Sequence, residues 1–155
     1  MLEVGKKPPA FTLKDQDNHP VRVRAFAGQW MVLYFYPKDD TPGCTIQACD
    51  FSKGLAGFEA RDAVVLGCSP DDAESHRRFI AKHRLTISLL SDPDHKVMTV
   101  YGAYGEKVLY GKRTVGVIRS TVLVDPDGKV AHHWKRARAK GHADLVHRRL
   151  EELRG

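Results

Sequence analysis

Long apolar runs are missing from this chain. The longest, Trp30 to Tyr36, covers seven residues, against the ~20 that a membrane-spanning helix needs. The first residues, Met1-Leu2-Glu3-Val4-Gly5-Lys6-Lys7-Pro8-Pro9, hold no apolar signal-peptide core, so the expectation is a cytoplasmic protein without a membrane segment. Cysteine is scarce: three in 155 residues are too few for a disulfide scaffold. Resting thiols inside a cell stay reduced, so any disulfide here is expected to be catalytic rather than structural. Internal repeats, low-complexity stretches and linkers are also lacking, and residues 1–155 read as one domain. Acidic residues are fewer than basic ones, giving a net charge of +6. That excess is compatible with nucleic-acid or acidic partners, although mild excess charge more often serves solubility.

What is present reads as alternating strands and helices. Phe11-Thr12-Leu13 and Val21-Arg22-Val23 flank the turn formers Asp15 to Pro20, which predicts a small N-terminal hairpin. The run Trp30 to Tyr36 predicts a strand buried on both faces. From Cys44 to about Ala60 the spacing is helical, with Ile46, Cys49, Leu55 and Phe58 expected inward. Ala63 to Cys68 reads as a buried strand, Ser69 to Asp72 as a turn and cap, and Ala73 to His83 as a helix with Phe79 and Ile80 inward. Ser88 to Leu90 reads as a short strand and His95 to Tyr101 as a short helix. Tyr101 to Thr114 shows little periodicity and is expected to be a long loop. Val115 to Val124 contains a strand, Asp125-Pro126-Asp127-Gly128 a turn, and Lys129 to Trp134 the returning strand. Gly141 to Leu153 reads as a closing helix with Leu145, Leu150 and Leu153 inward. This order predicts an α/β fold, a mixed sheet with helices on both faces.

The chemistry points to Cys44. It follows Thr41-Pro42-Gly43 at a junction between a central strand and a helix, the edge at which open α/β sheets place their sites. Pro42 suits a first helical turn, since the N–H it lacks has no partner there. Thr41 is expected to cap that turn with its hydroxyl. Gly43 permits close approach. Free N–H groups and the helix dipole then favour an anion at Cys44. Asp39 and Asp40 would oppose it, which calls for a nearby cation, and Arg119, after Gly116-Val117-Ile118, is the candidate.

Cys49 stands five residues after Cys44. On an intact helix such residues rise ~7.5 Å and point ~140° apart, whereas a disulfide needs Cα atoms within about 7 Å. The two pair only if the first turns unwind, which suggests a cycle of reaction, unwinding, disulfide formation and reduction. Simple inward packing of Cys49 stays open at this stage. Cys68, inside an apolar strand, reads as core.

Other classes have weaker support. His132-His133-Trp134-Lys135-Arg136-Ala137-Arg138-Ala139-Lys140 mixes basic and aromatic residues as a nucleic-acid binder would; its alternation also fits a strand end with one solvated face. His76 with His83, and His142 with His147, miss the i, i+4 spacing of a helix-borne metal pair, and all four are expected to face solvent. A general dithiol–disulfide oxidoreductase is a further alternative.

Tyr36-Pro37, then Thr41-Pro42-Gly43-Cys44-Thr45, is similar to the active-site signature of the peroxiredoxins, and Cys49 at five residues resembles the bacterioferritin comigratory protein, or peroxiredoxin Q, subfamily. Ala48-Cys49-Asp50-Phe51, Tyr101-Gly102, Gly105-Glu106-Lys107, Tyr110-Gly111-Lys112, Arg119-Ser120-Thr121 and Gly141-His142-Ala143 extend the resemblance from about Val4 to Leu153. It implies a thioredoxin-like fold and a thiol peroxidase of antioxidant defence that acts on hydrogen peroxide and organic hydroperoxides. Cys44 would be the peroxidatic cysteine and Cys49 the resolving one. Thr41 would hold the peroxide, Arg119 would stabilise the thiolate, and Pro37, Pro42 and Gly43 would shape the pocket. The resemblance implies a thioredoxin-type reductant and no metal or organic cofactor; no nucleic acid, no membrane, and a monomer or weak dimer are the further expectations. Cys68 departs from the aliphatic residue expected in its strand.

Overall fold

The computed structural model describes residues 2–155. In chain order its elements are β1 (Thr12–Asp15), β2 (Pro20–Arg22), β3 (Trp30–Phe35), α1 (Pro42–Glu59), β4 (Ala63–Ser69), α2 (Ala73–His83), β5 (Ser88–Ser91), α3 (Lys96–Val100), β6 (Tyr104–Leu109), β7 (Lys112–Val117), β8 (Ser120–Val124), β9 (Val130–Trp134) and α4 (His142–Arg154). Seven strands form one sheet in the order β2-β1-β5-β4-β3-β8-β9. β3 to β5 run parallel, while β1 with β2 and β8 with β9 pair antiparallel, so the sheet is mixed as expected.

β3 is buried at all six residues, and its two faces feed two cores. Trp30, Val32 and Tyr34 join Ala48, Phe51 and Phe58 of α1, Phe79 of α2, and Ala143, Val146 and Leu150 of α4. Met31, Leu33 and Phe35 join Phe11, Met98 of α3, Tyr101 and Val117. Strand alternation therefore divides one apolar run between opposite faces. The register also sets the site. β8 runs antiparallel to β3 with Phe35 opposite Ser120, so the residue before β8, Arg119, arrives beside the residues that follow β3.

Three expectations are corrected. The stretch from Tyr101 to Thr114 is not a loop: β6 and β7 pair over six residue pairs as a separate two-stranded sheet. Its turn, Tyr110-Gly111, takes φ of 52° and 76°, the left-handed pair that closes a two-residue hairpin. Val108, Leu109, Tyr110 and Val115 are all exposed, so no buried face imposed an alternation for the sequence to show. On α1, Ile46 is 45% exposed, and the buried stripe is Cys44, Gln47, Ala48, Phe51 and Phe58. On α4, Leu145 and Leu153 are exposed, and His142, Ala143, Val146 and Leu150 face inward. In both helices a polar residue with a side-chain partner, Gln47 with Arg119 and His142 with Thr121, displaced an aliphatic one from the inner face. Among the described residues, no helix is long and apolar enough to cross a membrane.

Candidate active site

The end of β3 supplies the site. Pro37, half-buried, turns the chain out of the sheet, and Lys38 to Thr41 form a short loop leading into α1. Thr41 is the N-cap residue, extended at φ −91° and ψ 157°, and Pro42 holds the first helical position. Gly43 and Cys44 take the next two, whose N–H groups have no carbonyl acceptor within a helix. Thr45 N–H is the first to return, donating to Thr41 O at 2.8 Å. The expected side-chain cap is not made. Thr41 Oγ1 donates instead to Lys38 O at 2.9 Å, closing the loop on itself and leaving its lone pairs as acceptors.

Arg119 reaches Cys44. Its Nη2 lies 3.3 Å from Cys44 Sγ, within donor range for sulfur, and the thiol is only 1% exposed. Gly43 makes this approach possible, because a Cβ there would stand 3.3 Å from Arg119 Nη2, tighter than ordinary contact. The guanidinium is held from its other side by Gln47, a fully buried residue whose Oε1 accepts from Arg119 Nη1. Gln47 was not singled out from the sequence. Its signal was available, since it lies three residues after Cys44 and therefore on the same helix face.

The two aspartates of the loop, expected to oppose an anion at Cys44, are each engaged by partners away from it. Asp40 is exposed and accepts from Lys82 Nζ and His83 Nε2, each at 2.7 Å, which holds its carboxyl below the usual range. Asp39 is buried. It accepts from Tyr36 Oη at 2.6 Å and Ser75 Oγ at 2.8 Å, and faces His76 Nδ1 at 2.7 Å. His76 Nε2 lies 2.9 Å from Leu90 O, which can only accept, so that nitrogen carries a hydrogen. A further proton must then sit between Nδ1 and the Asp39 carboxyl. This buried pair ties the loop to α2 and β5.

His76 and His142, expected to face solvent, are both buried. His142 Nε2 contacts Thr121 Oγ1 at 2.7 Å, and its ring meets Phe51 and Trp134 edge-on. Burial, with the Arg119 charge adding, pulls its pKa from 6.5 down to about 4. Cys49 is half-buried and packs against the same core as α1; neither it nor Cys44 is in a disulfide, and α1 runs unbroken through both. Cys68 is fully buried in β4, where burial, with the Asp92 carboxyl adding, pushes its thiol well up. Pro42 is exposed at the helix tip. The structure thus brings Cys44, Arg119 and Gly43 together, sets Thr41 and Pro42 at the head of the same helix, and leaves Cys49 apart from Cys44 along it.

A family model described as the AhpC/TSA family matches residues 4–133. The chain belongs to that family. Within it, the chain is 46% identical over 152 residues to a putative peroxiredoxin bcp of Helicobacter pylori strain J99, covering 98% of each chain. It is 40% identical over 151 residues to the peroxiredoxin Bcp of Escherichia coli K12, covering 97% of each. Among solved structures, the bacterioferritin comigratory protein of Xanthomonas campestris, studied for alkyl peroxide reduction, superposes with a TM-score of 0.91 at 36% identity over 99% of this chain and all of that one. A cysteine-to-serine mutant of Xylella fastidiosa PrxQ gives 0.93 at 31% identity, over 100% and 99% of the two chains. This peroxiredoxin is of the Bcp/peroxiredoxin Q kind, with a thioredoxin-like fold and the activity of a thiol peroxidase.

Proposed function

We propose that Cys44 is the peroxidatic cysteine of this thiol peroxidase and Cys49 its resolving partner. The observation that carries this reading is the buried Cys44 Sγ at the first turn of α1, with Arg119 Nη2 3.3 Å away. A thiolate is the nucleophile in such chemistry, and a fixed cation with free N–H groups supports one there. The Cys44 sulfur attacks the nearer oxygen of a hydroperoxide; an S–O bond forms, the O–O bond breaks, and the far oxygen leaves as water or an alcohol after taking a proton. Charge develops on that departing oxygen, where preorganised donors act most strongly. Arg119 and the N–H groups of Gly43 and Cys44 are those donors. Thr41, whose hydrogen is committed to Lys38 O, receives the peroxide O–H on its lone pairs.

The product is a sulfenic acid, which condenses with a thiol to a disulfide and water. Cys49 supplies that thiol after the first turns of α1 open, since the intact helix separates the two residues. Pro37 and Pro42 wall the pocket around Cys44. A dithiol protein of thioredoxin type then returns the pair to thiols, as three free cysteines suit a reducing cytoplasm. Hydrogen peroxide and alkyl hydroperoxides are the substrates, the latter class matching the activity studied in the Xanthomonas relative.

The test is thioredoxin-coupled peroxide consumption by the wild type and two variants. Cys44→Ser should abolish turnover; wild-type turnover in it would end the assignment. Cys49→Ser should take one equivalent of peroxide and then stall until a small thiol is added. Sustained thioredoxin-driven turnover in Cys49→Ser would remove that residue from the cycle.

A further inference from the structure

The chain after β9 crosses the mouth of the site. Ala137 N–H donates to Arg119 O at 2.8 Å, and the Ala139 methyl lies 3.7 Å from where a Cβ on Gly43 would stand. Exposure alternates along this segment: Ala137 and Ala139 are half-buried, while Lys135, Arg136, Arg138 and Lys140 are exposed. The small residues let the segment lie against Arg119 and Gly43, and that contact carries four cations to the rim. None of the four has a carboxylate partner within salt-bridge distance among the described residues. The two loop aspartates are engaged elsewhere, Asp40 by Lys82 and His83 and Asp39 by His76. Ile46, 45% exposed between the two cysteines of α1, lies three residues after Gly43, against which Ala139 rests, and so on the same side of the helix. An apolar centre with a polar rim is how protein interfaces are built.

We propose that Lys135, Arg136, Arg138 and Lys140 form a docking rim for the protein that reduces the oxidised site, and that this reductant carries acidic side chains around its dithiol. The inference rests on the Cys44–Cys49 disulfide proposed above. One thiolate of the reductant attacks that disulfide, breaking its S–S bond and forming a mixed disulfide. The second reductant thiol closes the reductant's own disulfide, and two electrons and two protons end on Cys44 and Cys49. Complementary charge accelerates the encounter and makes it salt-dependent. A nucleic acid fits these cations less well, because the aromatic rings beside them are half-buried and packed on their neighbours. Trp134 packs on His132 at 4.3 Å between centroids and edge-on to His142 at 5.7 Å.

The test is stopped-flow reduction of the peroxide-oxidised enzyme by two probes, a thioredoxin of net negative charge and dithiothreitol. Raising the ionic strength from about 0.05 to about 0.5 M should slow the thioredoxin reaction about tenfold or more and leave the dithiothreitol reaction unchanged. Arg136→Gln with Arg138→Gln, and separately Lys135→Gln with Lys140→Gln, should each slow thioredoxin several-fold at low salt. Neither pair should alter the dithiothreitol rate or single-turnover oxidation by hydrogen peroxide. Neutralising the acidic residues beside the dithiol of that thioredoxin should reproduce the loss. Salt-insensitive reduction of the wild type overturns the proposal, as does equal slowing of both reductants. Duplex DNA or RNA binding that depends on these cations, with reduction unaffected, overturns it in favour of a nucleic-acid surface. Absence of any peroxide-driven disulfide would sink the underlying cycle instead, and it is read in the oxidation phase before either reductant is added.

Discussion

At the scale of single residues, the three cysteines differ by environment rather than by chemistry. Cys44 has a cation at 3.3 Å and free N–H groups at a helix start. Cys68 has a fully buried strand position, and its thiol is pushed up by that burial. Reactivity follows thiolate character and access, so brief treatment of the native reduced enzyme with iodoacetamide should modify Cys44 or Cys49 and spare Cys68. Peptide mapping before and after denaturation checks this, with Cys68 labelled only in the second sample. Cys68→Ala should leave peroxide turnover within about twofold of wild type while costing about 1–3 kcal/mol of stability as a small core deletion. Substantial native labelling at Cys68 would contradict its assignment to the core. Gly43 is the complementary case. A methyl there meets Arg119 Nη2 at 3.3 Å, so Gly43→Ala should displace the guanidinium from Cys44. The expected loss is about tenfold to a hundredfold in the single-turnover oxidation rate, with the thermal midpoint little changed.

Between elements, the loop from Lys38 to Thr41 is held less by its own residues than by what α2 and β5 offer it. Asp39, His76, Ser75 and Leu90 O form one buried set across three elements. Removing one member of a buried hydrogen-bonded pair leaves the other short of a partner, at a cost of about 1–3 kcal/mol. His76→Gln should therefore lower urea-unfolding stability by about 1–3 kcal/mol, while Asp39→Asn with His76→Gln together should cost less than the sum of the singles. Additive losses would show that the pair is not coupled. A tighter constraint of the same kind sits at Gly67, where a Cβ would stand 2.8 Å from Tyr34 Cζ and 2.8 Å from Leu89 Cδ2. Gly67→Ala should cost about 1–3 kcal/mol by overpacking.

These contacts also explain what the sequence could and could not reveal. The buried strands, the Asp125 to Gly128 turn and the strand-to-helix junction at Cys44 were legible, because continuous apolar runs and turn formers report burial and chain reversal directly. The β6–β7 hairpin was not, since its side chains are largely exposed and no buried face set a period. The inner faces of α1 and α4 were mis-phased at Gln47 and His142, because a polar residue satisfied by a partner distant in sequence looks like surface until the partner is placed. Arg119 was legible as a candidate cation. The spacing of Gln47 from Cys44 and the small size of Gly43 were also there to read, but that both serve Arg119 shows only once β8 is seen to run antiparallel to β3.

At the scale of the whole molecule, His142 joins four elements of the fold. It opens α4, contacts Thr121 of β8, and meets Phe51 of α1 and Trp134 of β9 edge-on. Burial holds it neutral, with its pKa lowered from 6.5 to about 4. The sign of the consequence follows from proton counting. Between these two values the unfolded chain binds a proton that the folded chain does not, so stability falls as pH falls. The contribution is complete above the unfolded value, declines through the window, and is lost near the folded value. The total is about 3 kcal/mol. Urea unfolding of wild type and His142→Asn at about pH 7.5 and about pH 4 isolates this residue from the carboxylates, which titrate in both proteins. The wild-type advantage should shrink by about 3 kcal/mol across that interval. An advantage that stays constant would mean that His142 titrates alike in the folded and unfolded chain, and that the junction of β8, β9, α1 and α4 tolerates an imidazolium. Because the Arg119 charge contributes to holding His142 neutral, Arg119→Met should narrow the pH window from its acid side, tying the stability of the fold to the same cation that faces Cys44.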